Sequence, residues 1–271
     1  NVLKKDEVEF LLIASGYSGQ LKHMNMLDAY HLFTNGIRDD VTFYAGYYHH
    51  LVERVVQETV KLGGKMLLNS GVNSVQYNQN LGHYQINFNK QGIYSKTVIF
   101  ALPQPALLKL KLLRPIHCLL QDSIGCKSLC RVYAKFKPDD VWFGNIGKTV
   151  TNNALRYIIP MSVEQGTVMI SYTDDIYTEF WRKHKGNQSR LKREIVDLVK
   201  KTFEIDIAKP EQVWVFYWEC GVGYWKKGTD SEKVADFVAN PMRNVFICGE
   251  NYSLDQSWVE GALEASERVL R

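Results

Sequence analysis

The 271-residue sequence lacks any uninterrupted apolar run approaching the roughly 18 residues that a membrane-spanning helix needs. Charged residues between Lys4 and Glu9 break up its start, so no secretory signal pattern is visible there. Internal repeats and low-complexity segments are also absent. These absences predict a globular chain with no membrane span and a cytoplasmic location.

Cysteine is scarce, and its arrangement excludes two classes of small domain. An odd number of cysteines without paired spacing argues against a disulfide scaffold, and the two compact ligand pairs of a structural zinc site are missing. We therefore expect no metal site, and free thiols that are buried or partly buried in a reducing compartment. The five cysteines are Cys118, Cys126, Cys130, Cys220 and Cys248.

A glycine-rich phosphate loop is missing as well. No Gly-x-Gly-x-x-Gly motif follows a strand and opens a helix; Gly221-Val-Gly223 comes nearest, but Lys226 holds the third glycine position. The net charge of +4 is modest and dispersed, which argues against a nucleic-acid partner. The adjacent His49 and His50 lie at a predicted helix start, where we expect their side chains to point apart.

The first part of the sequence alternates helix and strand patterns. Residues 47–62 carry an apolar stripe at helical spacing, and Gly63-Gly64 ends it. Short strands are predicted at 65–68, 71–77, 84–88 and 97–101. The last of these is apolar throughout, which predicts a strand buried on both faces, as in parallel sheets.

The middle of the sequence has a different style. Strands are predicted at 129–136, 155–159, 167–173 and 212–218, with one long amphipathic helix at 189–202. These segments indicate an antiparallel sheet with helices, of α+β character.

The end of the sequence returns to the first style. An apolar strand at 244–248 leads into Gly249-Glu250, a polar loop and a helix at 258–271. Glycine permits close backbone approach, and a helix N-terminus offers unpaired N–H donors, so this unit is typical of a cofactor site. We expect strands 97–101 and 244–248 to share one sheet, and the first βαβ unit of that domain to precede residue 1.

This order predicts an interrupted domain. Residues 46–106 and 241–271 form one domain, and residues 1–45 and 107–240 form the other. The fold class is therefore α/β plus α+β.

Two segments near the end carry a family resemblance. Phe246-Ile-Cys-Gly-Glu250 and Trp258-Val-Glu-Gly-Ala-Leu263 resemble the closing flavin-binding segment of the monoamine and polyamine oxidase family. Val72 and Val98-Ile-Phe-Ala-Leu-Pro103 follow the order of that family. Cys126-Lys-Ser-Leu-Cys130 and Met169-Ile-Ser-Tyr-Thr-Asp174 look like the amine-oxidase-like proteins of large DNA viruses. This last likeness implies a place in the host cytoplasm or the virion, with self-association or virion proteins as partners.

The resemblance implies FAD as the cofactor and an amine or polyamine as the substrate. It implies a partial FAD-binding Rossmann-like domain interrupted by an antiparallel-sheet-and-helix substrate domain. The backbone of Val72 would lie near the adenine, and the Gly249-Glu250 pair along the ribityl and diphosphate groups. The helix start, with Trp258, Val259 and Ala262, would face the pyrimidine edge of the flavin ring.

The resemblance also assigns catalytic positions. Trp258 would form one aromatic wall of an amine cage, and Tyr224 the other, with Trp225 as an alternative. Arg131 stands at the family's lysine position in a gap-free alignment, and Lys127 would substitute for it only with a gap. Arginine is bulkier and permanently charged, so Arg131 could instead be a strand residue paired with an acidic side chain.

The resemblance favours one function, and the two departures from it, the missing glycine-rich loop and Arg131, leave a second one open. The first is FAD-dependent amine oxidation to an imine, with hydride transfer to flavin and formation of peroxide. The second is a non-catalytic structural or interaction protein built on an oxidase-derived fold, because fold alone does not fix function.

Overall fold

A computed structural model describes residues 3–16, 18–36 and 47–271. The predicted domain boundary at residues 45 and 46 lies outside the described residues. The helices are α1 (Lys5–Ala14), α2 (Ser18–Leu21), α3 (Met26–Gly36), α4 (Tyr48–Lys61), α5 (Gln104–Leu107), α6 (His117–Ser123), α7 (Ile176–Arg182), α8 (Gln188–Phe203), α9 (Ser231–Ala239) and α10 (Val259–Leu270). The strands are β1 (Val72–Asn78), β2 (His83–Phe88), β3 (Gln91–Ser95), β4 (Val98–Ala101), β5 (Ile124–Lys135), β6 (Thr149–Val150), β7 (Tyr157–Ser162), β8 (Thr167–Asp174), β9 (Gln212–Trp225) and β10 (Val245–Cys248).

The largest sheet has five antiparallel strands in the order β6-β7-β8-β5-β9. The predicted helix at 189–202 is α8, and its buried residues Leu191, Ile195 and Val199 belong to the same core as Val132 and Ala134 of β5. The helical spacing of the apolar residues in α8 and their alternation along β5 place apolar side chains on facing surfaces, and these side chains form one apolar layer. The mixed α/β character and the antiparallel sheet predicted from the sequence are confirmed.

A second core contains the two terminal apolar strands. β4 and β10 pair in parallel, with Ile99 opposite Phe246 and Phe100 opposite Ile247. A three-stranded antiparallel meander, β1-β2-β3, contributes Val75 and Tyr84 to the same core. The prediction that strands 97–101 and 244–248 share a sheet is therefore confirmed.

Two strand predictions were wrong in detail. β4 is buried on one face only: Phe100 is buried, whereas Ile99 is 48% exposed, because no described element covers that face. Residues 65–68 form no strand, since they find no pairing partner among the described residues, and Met66, Leu67 and Leu68 are exposed. The apolar pattern of the sequence could not show that one face of β4 is uncovered, or that residues 65–68 have no strand to pair with.

The prediction that all cysteines are free was also wrong. Cys126 and Cys220 form a disulfide whose Cα atoms are 5.2 Å apart, although 94 positions separate them in sequence. β5 and β9 are antiparallel neighbours, and a bulge between Lys127 and Leu129 adjusts their register near the pair. Spacing along the sequence could not show this pairing because it depends on strand pairing.

A thiol titration of the unreduced protein tests this pairing. One fast-reacting thiol is expected in the native state, that of the exposed Cys118. Cys130 and Cys248 are buried, and burial raises the pKa of Cys130 to about 12, so neither should react before unfolding. Denaturation without reductant should release three thiols in total. Five reactive thiols under those conditions would show that Cys126 and Cys220 are not paired.

Candidate functional site

The end of β10 forms a turn in which Glu250 is partly buried. Gly249 has a φ of 131°, a backbone conformation that favours glycine. A Cβ atom at Gly249 would make only an ordinary van der Waals contact, 3.9 Å from the Tyr252 ring, so the backbone is not crowded on that side. Just beyond it, Tyr252 donates its hydroxyl to the Leu102 carbonyl at 2.8 Å, which ties this turn to the end of β4.

The Glu250 carboxylate accepts three hydrogen bonds. Its Oε1 accepts from the backbone N–H groups of Gly223 at 3.0 Å and Ser257 at 2.7 Å, and its Oε2 accepts from Asn251 Nδ2 at 2.6 Å. The residues that follow Gly223 and Ser257 are Tyr224 and Trp258. One carboxylate oxygen thus fixes the two backbone segments that carry both predicted cage aromatics.

The start of α10 is open. Trp258 is the N-cap residue and makes no side-chain capping hydrogen bond, and both Trp258 and Val259 are more than half exposed. The first-turn N–H groups of a helix have no partner within the helix, and the helix dipole makes this end positive. An electron-rich or anionic ring edge fits such an end. Ala262 lies about one turn further along α10, is half-buried, and presents only a small side chain to the surface beside this helix end.

Gly261 holds α10 close to the preceding loop. A Cβ at this position would collide with the Asp255 carbonyl oxygen and would lie 2.7 Å from Ser253 Oγ. A glycine is therefore needed at position 261 for packing between α10 and the loop. The sequence pattern alone could not show whether Gly261 serves this packing or a contact with a cofactor.

Tyr224 and Trp225 have different surroundings. Tyr224 is buried on β9 and packs over Gly125 of β5, where a Cβ would overlap its ring; the ring centroid of His23 lies 6.1 Å away. Trp225 is fully buried in the second core and donates its Nε1–H to the Ser253 carbonyl at 3.0 Å. Trp225 is thus a core residue, and Tyr224 is the better placed of the two for a cage.

Arg131 does not join this group. It lies on β5, roughly 20 Å from Gly125 at about 3.3 Å per strand residue. Its guanidinium donates to the Tyr172 hydroxyl at 3.2 Å and lies 4.6 Å from the centre of that ring, so the expected acidic partner is replaced by a tyrosine. Burial acts to lower the pKa of Arg131, but its contacts with Tyr172 and Tyr133 outweigh burial and raise it.

An aromatic surface surrounds Arg131 on the sheet face away from the core. Tyr133 and Phe216 lie 5.8 Å apart, and Phe216 stacks with Trp218 at 6.4 Å. Phe216 and Trp218 are both exposed. Phe216 and Trp218 are two residues apart on β9, so their side chains lie on the same face of the strand. This spacing could have predicted the aromatic surface from the sequence.

Lys127, the other basic residue of β5, lies nearer the Glu250 turn. It is opposite Val222, the residue before Gly223, and its Nζ forms an ion pair with Asp175 at 3.2 Å. Both side chains are mostly buried.

Val72 is the first residue of β1, in the three-stranded meander, and it is half exposed. It pairs with Phe88 next to a bulge. It therefore lies in a different sheet from β10, and its role at the adenine stays a prediction.

His49 and His50 do not point apart as expected. Their ring centroids are 4.0 Å apart, because both side chains turn to the same side at the first turn of α4. With Glu53 they bring three metal-type ligand atoms within 4.8 Å of one another, and all three residues are exposed.

Within the described residues, no helix is long and apolar enough to cross a membrane.

Residues 6–269 match the family described as flavin containing amine oxidoreductase. The chain belongs to this family. This match spans nearly the whole chain and agrees with the resemblance carried by the Gly249-Glu250 turn and α10.

Solved structures of the same architecture support the family assignment at the level of fold. The chain superposes on cyclohexylamine oxidase from Brevibacterium oxydans IH-35A with a TM-score of 0.70 and 14% identity, covering 98% of this chain and 63% of that one. It superposes on a putative protoporphyrinogen oxidase from Exiguobacterium sp. 255-15 with a TM-score of 0.59 and 12% identity, covering 80% and 51%.

A curated relative comes from a large DNA virus. Protein R188 of Acanthamoeba polyphaga mimivirus is 25% identical over 147 residues, which is 46% of this chain and 28% of that protein. The viral likeness seen in the sequence is confirmed as a distant relationship, and packaging in a virion stays a prediction. The chain spans less than two thirds of the length of each of these three proteins.

Proposed function

We propose that this chain supplies the substrate sheet and the C-terminal flavin-contacting turn of an FAD-dependent amine oxidase. The observation that carries the proposal is the Glu250 carboxylate, which fixes the segments of Tyr224 and Trp258 beside the open start of α10. Family membership supports the proposed reaction class, and these contacts support the proposed place for it.

The residues at the turn fit a flavin. Gly249 has no side chain and is not crowded, which would let the cofactor approach its backbone, and the N–H groups at the start of α10 would face an electron-rich ring edge. Val259 and Ala262 would lie beside them, and Val72 would lie near the adenine. When bound, FAD would accept a hydride from the carbon next to the amine nitrogen.

Glu250 acts on this site as a positioning residue. Its carboxylate is turned inward and accepts from Gly223, Ser257 and Asn251, so it holds the turn together. Tyr224 and Trp258 would form two walls that hold the aliphatic part of the amine and keep bulk water away from its nitrogen.

The proposed domain organisation follows the two cores. β1 to β4, β10 and α10 would form part of a Rossmann-like FAD-binding domain, and the five-stranded sheet would belong to the substrate domain. A two-stranded parallel sheet with an exposed face is incomplete as a nucleotide cradle. A preceding βαβ unit with a glycine-rich loop would complete it.

The test is to purify the protein from its complete reading frame and to record its visible spectrum. Flavin absorbance is expected, with peroxide formed from a primary or secondary amine in air. Trp258→Ala should retain the flavin and raise the KM for the amine by about tenfold, because one wall of the cage is lost. Colourless protein that takes up no added FAD would contradict the proposal.

One observation favours the non-catalytic alternative. Arg131, at the position assigned to the family's lysine, is bound to Tyr172 and lies far along β5 from Tyr224. A flavin-containing protein that forms no peroxide with any amine would support this alternative. Peroxide formation that survives Arg131→Ala would instead show that the reaction does not need this arginine.

A further inference from the structure

β9 carries a bulge in its second half. Leu129 of β5 lies opposite Trp218 of β9. Two positions earlier on β5, Lys127 lies opposite Val222, which is four positions later on β9. β9 thus uses four positions where β5 uses two, and the extra residues form a bulge at 219–221. Bulges are common beside functional sites, where they direct the side chains that follow.

A disulfide fastens this bulge to β5. Cys220, at the centre of the bulge, is bonded to Cys126, and their Cα atoms are 5.2 Å apart. Gly221 packs directly on Leu129, because a Cβ at Gly221 would collide with the Leu129 Cβ. Glu219 is exposed and forms no side-chain hydrogen bond or ion pair with the described residues. In the part of the chain that the structure describes, the disulfide is therefore the one side-chain bond between the bulge and β5.

The strand continues from the bulge into the proposed amine site. Cys126 lies opposite Gly223, whose backbone N–H donates to the Glu250 carboxylate at 3.0 Å. Tyr224, the next residue, packs over Gly125, the neighbour of Cys126 on β5. How firmly the bulge is held therefore affects both the contact with Glu250 and the position of the Tyr224 ring.

The disulfide is open to a small reagent. Cys126 and Cys220 are half-buried, whereas the free thiols of Cys130 and Cys248 belong to buried residues. Cys220 lies between the exposed Glu219 and a glycine, which has no side chain to cover it. Thiol–disulfide exchange requires access to one sulfur of the bond, and the bulge leaves room beside Cys220 for this approach.

We infer that Cys126 and Cys220 form a redox-active site that exchanges with small thiols such as glutathione, and that their bond sets how firmly β9 presents Gly223 to Glu250. A thiolate attacks the Cys220 sulfur, the S–S bond breaks, and the Cys126 sulfur leaves with the electron pair and takes up a proton. A second thiolate attacks the external sulfur of the mixed disulfide and releases Cys220, which is protonated in turn. The protein disulfide is reduced to two thiols, and two external thiols are oxidised to one external disulfide.

Reduction acts on the site through conformational freedom. The closed bond keeps the bulge in one arrangement, and the bulge residues lie outside the regular strand pairing. When the bond is open, these residues regain conformational freedom, and local opening of the strand becomes more frequent. The amide hydrogens near Gly223 then exchange faster with solvent. Only an effect on amine binding would rest on the proposed oxidase function, since reduction and amide exchange need neither flavin nor amine.

Reduction of the folded chain, followed by mass spectrometry, tests the first part of the inference. The chain carries Cys118→Ser, which removes the exposed free thiol and leaves the disulfide in place. It is incubated with excess reduced glutathione without denaturant, and free thiols are then alkylated. We expect alkylation of Cys126 and Cys220 while circular dichroism stays native and Cys130 and Cys248 stay unmodified. Oxidised glutathione should restore the bond.

Hydrogen–deuterium exchange of the oxidised and reduced chains tests the second part. Peptides that contain residues 219–224 should exchange about tenfold faster after reduction. Peptides from residues 83–95, in the separate β1-β2-β3 sheet, are the internal control and should change by less than about twofold. Cys220→Ser should show the fast exchange without any reductant, and Cys118→Ser should not.

Three results would overturn the inference. The first is a disulfide that resists glutathione until the chain unfolds, and the second is a purified chain in which Cys126 and Cys220 are never bonded. The third is reduction that leaves exchange at residues 219–224 unchanged. Chemical reduction of the folded chain gives this answer even if Cys220→Ser does not fold. Both measurements use flavin-free protein, so a failure here is separate from a failure of the proposed oxidase function.

Discussion

Glu250→Ala is expected to lower the free energy of unfolding by roughly 3–5 kcal/mol. The carboxylate accepts from two backbone N–H groups and one side-chain amide in a partly buried turn. Removing it leaves these donors without their acceptor and releases the segments at Gly223 and Ser257. Urea unfolding followed by tryptophan fluorescence measures the change.

Glu219→Ala is the matched control for this prediction. Glu219 lies on β9, the strand of Gly223, is exposed, and accepts no side-chain hydrogen bond from the described residues that its loss would break. Its replacement should change the unfolding free energy by less than about 0.5 kcal/mol. If the two variants unfold at the same urea concentration, Glu250 does not hold the turn together, and its proposed positioning of Tyr224 and Trp258 is wrong.

Gly261→Ala is expected to destabilise the protein by roughly 1–3 kcal/mol, opposite to the usual effect of this change inside a helix. Alanine normally stabilises a helix interior by about 1 kcal/mol relative to glycine. Here the added Cβ would collide with the Asp255 carbonyl oxygen and crowd Ser253 Oγ. The start of α10 must then move away from the loop, and flavin retention in the complete protein should fall as well.

Ala262→Gly, one position along the same helix, separates packing from helix propensity. It should cost about 1 kcal/mol through propensity alone and should leave the contact between α10 and the loop intact. Thermal unfolding of the two variants gives the comparison. A Gly261→Ala protein more stable than the unmodified chain would show that the loop yields easily and that the close approach has no structural role.

The pairing of β4 with β10 could be predicted from the sequence because both strands are short apolar runs bounded by breakers. The same reasoning could not show that β4 is buried on one face only, since burial depends on what covers a strand. Ile99 is apolar whether or not another element packs on it.

What the sequence could not predict has one physical origin in strand register. A gap-free alignment puts Arg131 at the family's lysine position, which stays a prediction, whereas the bulge between Lys127 and Leu129, which shifts the register of β5 against β9, is visible only in the folded chain. The disulfide between Cys126 and Cys220 depends on the same strand pairing. The hydrogen bonds of Glu250 could not be predicted either. They connect it to Gly223 and Ser257, which lie close to each other only in the folded chain.

The partner of β4 arrives late in synthesis. Val98 pairs with Val245, so 147 further residues must be synthesised after Val98 before its partner exists. By then all five strands of the large sheet have been made, and that half of the molecule can fold first. A chain that stops before β10 would leave β4 without this neighbour, so an early stop codon there would expose a second unpaired edge of an apolar strand, a surface prone to aggregation.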